Sequence, residues 1–352
     1  MGFWVEDMKL DEFNFILPEH LIAQHPVAQR DLSRMMVVWR KTGRREHRIF
    51  RDLPEILTSD CFLVRNNTRV FPARLKARRP GKEEEIEILL IREPRPGEWS
   101  ALVKPARKTP VGQELRIGEL TARVVAVTGS GGRILRFNPR LALMKDIEKI
   151  GEPPLPPYIH RSEEHDFSED KLRYQTVYAR DTGSIAAPTA GLHFTHDIFR
   201  RLKNRNIPIC EILLHVGYGT FQPVRCEDIE DHRMEPEYYR VETETMKRIR
   251  GYKAEGRRLI AVGTTTARCL EYLARNNNLP EIGSEGECNL FIYPGFKFKV
   301  LDGMITNFHL PRSTLFMLVC ALADRDLMLD CYREAISENY RFFSYGDCML
   351  IL

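Results

Sequence analysis

The sequence lacks the features that would place it quickly in a class of proteins. None of its eight cysteines forms a CxxC pair, and cysteine and histidine do not cluster at the spacing of zinc ligands. The longest apolar run, at 315–323, is far shorter than a membrane span. The first residues, MGFWVEDMKLDEF, mix charged and apolar side chains, unlike a signal peptide. No GxxxxGKS or GxxxxGKT motif is present, which argues against a P-loop nucleotide site.

These absences lead us to expect a cytoplasmic protein with reduced, buried thiols, no bound metal and no membrane contact. The chain has 352 residues, of which 43% are hydrophobic and 29% charged, as is usual for globular proteins. Its length suggests two domains. Because 53 basic residues face 49 acidic ones, any surface for nucleic acid must be local.

The pattern of apolar runs and turn residues changes near residue 70. Short β-like runs follow one another there, separated by PRPGE, PVG and TGSGG: EIEILLIR, WSALVK, QELRI, LTARVVAV and RILRF. Regular short strands with such turns indicate a small barrel. A helix in PRLALMKDIEKIG and a stiff connector, PPLPPYI, follow.

The remaining segments alternate strand and helix signals. Predicted strands are MMVVW, CFLVRNN, ICEILLH, RLIAV, LFIYP, FKFKV and MITNF. Predicted helices are DIFRRLKNR, capped by Thr195, then ARCLEYLAR, and two near 313–323 and 327–340. We therefore expect an α/β main domain with an inserted small all-β barrel domain. The barrel would span 70–151, and residues 1–69 with 152–352 would form a discontinuous α/β catalytic domain.

Three segments rich in small residues follow predicted strands: GSIAAPTAGLHF at 183–194, HVGYGTF at 215–221 and VGTTTARCLE at 262–271. In α/β folds, ligands gather at the carboxyl ends of strands. Gly263 permits a tight turn, and the amides of Thr264 and Thr265 at a helix start favour a carboxylate or phosphate. For GTTT alone, an ordinary threonine cap is the commoner explanation, and its two companion segments favour the ligand site.

Two of these segments contain a histidine, and a third histidine follows the predicted MITNF strand. His193, His215 and His309 could each donate or accept a proton near neutral pH, although a histidine of this kind is often structural. Ser184 invites a serine-hydrolase interpretation, but GSIAAPTAG lacks the GxSxG elbow.

Basic residues cluster in three runs, at 65–82, 104–108 and 200–205, with Phe71 and Trp99 nearby in sequence. Lysine and arginine runs beside aromatics favour RNA binding, whereas a single run is more often a solvated face.

Several long motifs resemble one family over nearly the whole chain, the S-adenosylmethionine:tRNA ribosyltransferase-isomerases of queuosine biosynthesis. The motifs are FILPEHLIAQHPVAQRDLSR, RYQTVYARDTGSIAAPTAGLHFT, HVGYGTFQPV, VGTTTARCLE, PGFKFKVLDGMITNFHLPRSTLFMLV and YRFFSYGDCMLIL. One departure is HRMEPE at 232–237, where the family pattern leads us to expect histidine in place of Glu235. This puts a catalytic pairing of His232 with Glu235 in doubt.

The resemblance implies an enzyme that transfers and isomerises the ribosyl group of S-adenosylmethionine onto 7-aminomethyl-7-deazaguanine at the tRNA wobble position. Epoxyqueuosine would form in the tRNA, and adenine and methionine would leave. S-adenosylmethionine is then a consumed substrate, and no bound cofactor or metal is needed. An α/β domain with an inserted barrel is the fold of that family, and we expect a monomer.

Residue roles follow as expectations from the motifs. Proton transfer is assigned to His193, His215, His309 and Asp347. S-adenosylmethionine binding is assigned to Ser184, Thr189, Gly191, Gly217, Tyr218, Gly219, Thr220, Thr264, Thr265, Arg268 and Tyr345. The tRNA is assigned to Arg69, Arg74, Arg78, Arg79, Lys104 and Arg107.

Two alternatives stay open at the level of sequence. A non-catalytic RNA-binding module would release no adenine from S-adenosylmethionine in the presence of substrate tRNA. A hydrolase of small nucleosides would turn over S-adenosylmethionine with no tRNA present.

Overall fold

The computed structural model describes residues 8–129, 131–138, 143–162, 164–221, 224–276 and 278–352, without the side chains of residues 220 and 221. Within these ranges the chain forms a nine-stranded mixed sheet, a closed barrel of six antiparallel strands and a two-stranded sheet. The expected fold class, an α/β domain with a small β-barrel, is confirmed.

The strands, in chain order, are β1 Arg34–Trp39, β2 Arg44–Ile49, β3 Cys61–Asn66, β4 Thr68–Val70, β5 Arg74–Arg78, β6 Glu85–Arg95, β7 Glu98–Lys104, β8 Glu114–Ile117, β9 Leu120–Val127, β10 Arg133–Asn138, β11 Asp181–Ser184, β12 Ile209–Leu214, β13 Glu237–Val241, β14 Arg258–Val262, β15 Ser284–Cys288, β16 Gly303–Asn307 and β17 Cys348–Ile351. The helices are α1 Leu53–Ile56, α2 Leu143–Ile150, α3 Ser168–Arg173, α4 His196–Asn204, α5 Thr243–Ala254, α6 Thr264–Leu273, α7 Thr314–Ala323 and α8 Arg325–Ser337.

The large sheet has the strand order β15-β13-β12-β3-β14-β16-β17-β1-β2. Its centre is parallel: β3 pairs with β12 and β14, and β14 pairs with β16. The carboxyl ends of these four strands therefore meet at one edge. This edge is where the chain leaves β12 into 215–221 and leaves β14 into the start of α6.

The central strands are apolar because the sheet is covered on both faces. In β3, for example, Cys61, Phe62, Leu63 and Val64 are fully buried. Such continuous apolar runs are typical of parallel strands between helices. Seven of the eight cysteines, on strands and helices, are buried, and all eight are free, so the expectation of buried thiols is confirmed for those seven.

The barrel has the strand order β10-β7-β6-β5-β8-β9 and closes on itself. Its strands alternate: in β5, Leu75 and Ala77 point into the core while Lys76 and Arg78 are exposed. Alternation of this kind is what a single layer with one apolar face requires. The predicted strands of the barrel are all present.

The chain enters and leaves the barrel at one place. The backbone N–H of Arg74 donates to the carbonyl of Glu152 over 3.2 Å, and the Glu152 N–H donates back to Arg74 over 2.8 Å. The insertion therefore has neighbouring ends.

Helix starts follow the expected chemistry. The Thr195 hydroxyl accepts from the Ile198 N–H at the start of α4 over 3.3 Å, which confirms the predicted cap. Gly263 precedes α6 with a φ of 89°, a backbone conformation that favours glycine. In the part of the chain described, no helix combines the length and the apolar character needed to cross a membrane.

Two strand predictions are wrong. The segments LFIYP at 290–294 and FKFKV at 296–300 lie outside any strand. The carboxylate of Glu271 on α6 accepts hydrogen bonds from the backbone N–H groups of Lys299, Val300 and Leu301, over 2.9, 3.1 and 2.9 Å. A side chain from a distant helix thus takes the donors that a neighbouring strand would otherwise have used.

Candidate active site

A cavity of about 710 Å³ lies at the carboxyl edge of the parallel strands. Its walls come from segments far apart in sequence, and most lining groups are apolar or small. The lining residues are Leu10, Asn14, Pro157, Tyr158, Ala186, Ala187, Pro188, Thr189, Ala190, Val216, Val224, Gly263, Thr264, Thr265, Thr306, Asn307, Phe308, His309, Leu310, Pro311, Arg312, Ser313, Leu315, Phe343 and Ser344. The three small-residue segments thus contribute to one cavity.

Four of the residues that we expected to bind or react line this cavity directly: Thr189, Thr264, Thr265 and His309. Small side chains of the 183–194 segment, at Ala186, Ala187 and Ala190, form one wall. Their size leaves room that larger side chains would fill.

Ser184 and Gly191 face protein rather than the cavity. The buried Ser184 hydroxyl donates to the Ala186 carbonyl over 2.7 Å and accepts from the Val216 N–H over 2.9 Å, so it joins two of the loops. A Cβ at Gly191 would lie 2.1 Å from the hydroxyl oxygen of Tyr178. Glycine is needed there because Tyr178 packs against the backbone.

A buried ion pair holds the loop that follows β12. Arg268 on α6 and Glu237 on β13 lie 2.6 Å apart, and both side chains are only 3% exposed. The second Glu237 oxygen accepts from the Gly217 N–H over 2.9 Å. Arg268 also donates to the Leu290 carbonyl over 2.9 Å. Arg268 therefore fixes the position of Gly217 from behind the cavity wall.

His309 is the histidine that lines the cavity. Its Nε2 lies 2.7 Å from the Thr306 hydroxyl, and its backbone N–H donates to the Tyr332 hydroxyl over 3.0 Å. Burial lowers the pKa of His309 to about 3. The imidazole is therefore neutral at pH 7 and is held in one orientation.

His193 lies behind the wall and reaches the cavity through Asn307. Its Nδ1 is 2.6 Å from the hydroxyl of Ser33. Burial lowers the pKa of His193 to about 4, and the nearby Asn307 side chain opposes this shift because it favours the protonated ring. The Asn307 amide donates to the Phe343 carbonyl over 2.8 Å, which directs its oxygen away from that carbonyl. Asn307, which the motif analysis missed, connects His193 with the cavity lining.

His215 lies next to the 183–194 segment, outside the cavity lining. Its Nδ1 is 2.8 Å from the Thr68 hydroxyl, and its ring stacks on Tyr238 with centroids 5.7 Å apart. Burial lowers the pKa of His215 to about 4, with Asp181 opposing the shift. A Cβ at Gly183 would lie 2.5 Å from the His215 Nε2, so glycine permits this contact.

Asp347 and Tyr345 lie in a buried turn outside the cavity lining. Asp347 accepts from the backbone N–H groups of Arg34 and Arg341, over 2.9 and 2.8 Å, and burial raises its pKa. The Tyr345 hydroxyl donates to Asp170 over 2.9 Å, and burial raises the pKa of that hydroxyl. Both contacts hold the C-terminal turn together.

The remaining loop residues have separate surroundings. Tyr218 lines a crevice of about 200 Å³ beside the barrel. A Cβ at Gly219 would lie 3.1 Å from the side chain of Glu235, so the HRMEPE segment packs against this loop. His232 contacts Phe291 edge to face, with centroids 5.0 Å apart. Thr220 falls outside the residues whose side chains are described.

The basic residues assigned to tRNA surround three concave surfaces. Arg78 and Arg79 line a basin of about 460 Å³ at one end of the barrel. Arg79 and Lys108 both pair with Glu84, and Arg107 acts on the same carboxylate, so the 104–108 run continues this basic end. The other two surfaces are the 200 Å³ crevice, with Arg74 and Lys104, and a hollow of about 260 Å³ that includes Arg69.

The third basic run, 200–205, lies on and just after α4. Arg201 pairs there with Glu55 over 2.6 Å and with Asp197 over 3.8 Å. Acidic neighbours thus offset its charge. Among the described residues, histidine, cysteine, aspartate and glutamate form no group of three or more suited to a metal ion.

The fold and the site together define the class of protein: an α/β enzyme with a cavity at its strand ends and an inserted barrel with a basic end. The model of the family described as queuosine biosynthesis protein matches residues 10–351. The chain belongs to this family, and the expectation from its motifs is confirmed.

Its relatives and a solved structure agree over their full lengths. The chain is 50% identical to an S-adenosylmethionine:tRNA ribosyltransferase-isomerase of Desulfitobacterium hafniense over 347 residues, covering 98% of this chain and 100% of the relative. A protein of the same name from Moorella thermoacetica is also 50% identical, with 98% and 100% coverage. The crystal structure of S-adenosylmethionine tRNA ribosyltransferase from Thermotoga maritima is 41% identical, with a TM-score of 0.55 and coverage of 97% and 100%.

The buried neutral histidines predict a pH dependence of stability. The folded pKa values of His193, His215 and His309 lie below the usual value of about 6.5. Their contribution is complete above about pH 6.5 and is lost as the pH falls towards 4 and 3. Each can lower the free energy of unfolding by up to about 1.4 kcal/mol per pH unit.

Urea unfolding between pH 7.5 and 4.5 measures this dependence. His309→Gln should give a shallower loss of stability with acid than the wild type, because one titrating ring is gone. His160→Gln, at an exposed position, is the matched control and should follow the wild type. An unchanged slope for His309→Gln would contradict the assignment.

Proposed function

We propose that the protein transfers and isomerises the ribosyl group of S-adenosylmethionine onto 7-aminomethyl-7-deazaguanine at the wobble position of tRNA. The products are epoxyqueuosine in tRNA, adenine and methionine. The cavity at the ends of four parallel strands, beside a barrel with a basic end, is the observation that carries this proposal. The names of the full-length relatives support it.

The chemistry demands little beyond position, a proton acceptor and exclusion of water. The positive sulfur of S-adenosylmethionine acidifies the neighbouring 5′ carbon, so the substrate supplies its own activation. A cavity with mostly apolar walls strengthens electrostatic contacts with a bound substrate and limits the water around the reacting carbon. We therefore propose that the reaction needs no metal and no bound cofactor.

The cavity offers complementary surfaces for the parts of this substrate. The start of α6, at Thr264 and Thr265, presents backbone donors suited to the methionine carboxylate. The wall at 186–190 accommodates adenosine against small side chains. Tyr158, which stacks on Phe343 with centroids 4.3 Å apart, presents a ring to the cavity. A sulfonium over that ring would gain about 0.5–2 kcal/mol.

His309 and His193 are the proposed proton carriers. Both are neutral at pH 7, which is the form that accepts a proton, and burial makes each a weaker base than an ordinary imidazole. His309 contacts the cavity, and His193 adjoins it through Asn307. His215 and Asp347 lie farther from the lining, and we propose that they act by holding the surrounding loops.

The basic end of the barrel is the proposed surface for the anticodon arm. Arg78, Arg79 and Arg107 adjoin one another there, and phosphate contacts of this kind make binding depend on salt. Arg69, Arg74 and Lys104 extend the positive surface towards the α/β domain. We propose a cytoplasmic enzyme that acts as a monomer.

Mass spectrometry of tRNA tests the reaction. Precursor-bearing tRNA incubated with the protein and S-adenosylmethionine should gain the epoxycyclopentane group, with release of adenine. Adenine release without tRNA would instead favour the small-nucleoside hydrolase. Binding of tRNA with neither product would favour the RNA-binding module.

His193→Ala should lower turnover by about 100-fold or more if the ring carries a proton, as is typical of general acid–base residues. Steady-state adenine release measures the rate, and binding of S-adenosylmethionine by calorimetry checks that the variant is folded. His20→Ala, in the N-terminal part of the chain and exposed, serves as the control. A folded His193→Ala with a rate within a few-fold of the wild type would remove His193 from the mechanism.

Reversing two charges at the basic end tests the tRNA surface. The double variant Arg78→Glu, Arg79→Glu should bind tRNA at least about tenfold more weakly and show a smaller salt dependence, because phosphate contacts are lost. Fluorescence anisotropy with labelled tRNA at several salt concentrations measures both effects. Unchanged affinity would place the tRNA elsewhere.

A further inference from the structure

The crevice of about 200 Å³ between the barrel and the α/β domain adjoins the large cavity. Pro157 lines both spaces. Two loops contribute residues to both spaces. In the first, Ile185 lines the crevice and Ala186 lines the cavity; in the second, Tyr218 lines the crevice and Val216 lines the cavity. Two loops and the proline connector therefore border both spaces.

The crevice has the shape and lining that a flat ring requires. Tyr218 is partly buried and packs on the apolar core of the barrel, so its ring is supported while one side borders the crevice. The proline-rich connector at 154–157 also lines the crevice. A supported aromatic ring in such a crevice is a stacking surface for a nucleobase.

Positive charge lies at the rim. Arg74 is held by Glu87 at 2.7 Å and donates to the Leu155 carbonyl over 3.2 Å, so it is fixed although partly neutralised. Lys104 is exposed on the barrel side of the crevice. From Lys104 the chain runs through Arg107 to Lys108, which pairs with the same glutamate as Arg79. A basic strip thus connects the crevice with the end of the barrel.

We propose that this crevice binds the nucleobase turned out of the anticodon loop, with Tyr218 as its stacking partner and Lys104 on a flanking phosphate. The inference rests on the proposed function and adds the place where the RNA base is held. Extruded bases are typically read by stacking in a pocket. The aminomethyl substituent of a base held here extends past Pro157 towards the ribose in the cavity. Tyr218 therefore serves the RNA base and not the sulfonium.

Two labelled hairpins of the anticodon arm test this proposal by fluorescence anisotropy. One carries 7-aminomethyl-7-deazaguanine at the wobble position, and the other carries an abasic nucleotide there. The wild type should bind the first about tenfold more tightly, as expected for one stacked base. Tyr218→Ala should bind both hairpins with the affinity that the wild type shows for the abasic one. Tyr218→Phe keeps the ring and should retain the preference.

Charge variants separate phosphate contact from base contact. Lys104→Ala should weaken both hairpins to the same degree, by about threefold to tenfold, and reduce the salt dependence. Arg333→Ala, which removes an exposed arginine of α8 paired with Asp330, should change neither affinity. Calorimetric binding of S-adenosylmethionine to Tyr218→Ala should match the wild type.

The outcomes distinguish this inference from the proposed function. If Tyr218→Ala keeps the preference for the base-carrying hairpin, or loses S-adenosylmethionine binding as well, the crevice is not the base site. If the wild type binds both hairpins equally, this inference fails while the mass-spectrometric test of the reaction stands. If the wild type binds neither hairpin, the proposed function itself fails.

Discussion

The buried pair of Arg268 and Glu237 is the constraint on which the arrangement of the cavity depends. It joins α6, which supplies Thr264 and Thr265, to β13 and, through the Gly217 N–H, to the loop after β12. Removing one partner of such a pair typically costs about 3–5 kcal/mol, because the other charge remains buried. The cost of separation keeps two loops from different strands in a single relative position. The loops beside the cavity therefore do not need to reorganise when a substrate binds.

Several polar side chains around the cavity hydrogen-bond to neighbouring loops. Ser184 joins two loops, Asn66 accepts from the Leu214 N–H over 3.0 Å, and Thr306 contacts His309. Each contact uses a short side chain at a strand end. Because the imidazoles are buried among such neutral partners, they stay uncharged at neutral pH. The cavity therefore presents directed acceptors and very little net charge to a cationic substrate.

Sequence patterns predicted the elements whose stabilising contacts come from residues nearby in the chain. Short β-like runs and turns between 85 and 137 predicted five of the six barrel strands, and apolar runs predicted the parallel strands. The strand predictions for 290–294 and 296–300 were wrong because side chains of α6 hydrogen-bond to the backbone there. Arg268 donates to the Leu290 carbonyl, and Glu271 accepts from the Lys299 N–H. Motifs correctly brought Thr189, Thr264 and His309 to one cavity. They could not show that Gly191 accommodates Tyr178 or that Asn307 links His193 to the lining, since both depend on contacts across the fold.

The paired backbone contact between Arg74 and Glu152 has an evolutionary consequence. Since the polypeptide enters and leaves the barrel at adjacent points, the barrel interrupts none of the strand pairings of the nine-stranded sheet. The barrel can therefore accumulate substitutions or longer hairpins, or be exchanged for another module, without disturbing the cavity. With the tRNA on the barrel, as we propose, RNA preference can diverge among descendants while the chemistry on the sulfonium donor stays conserved.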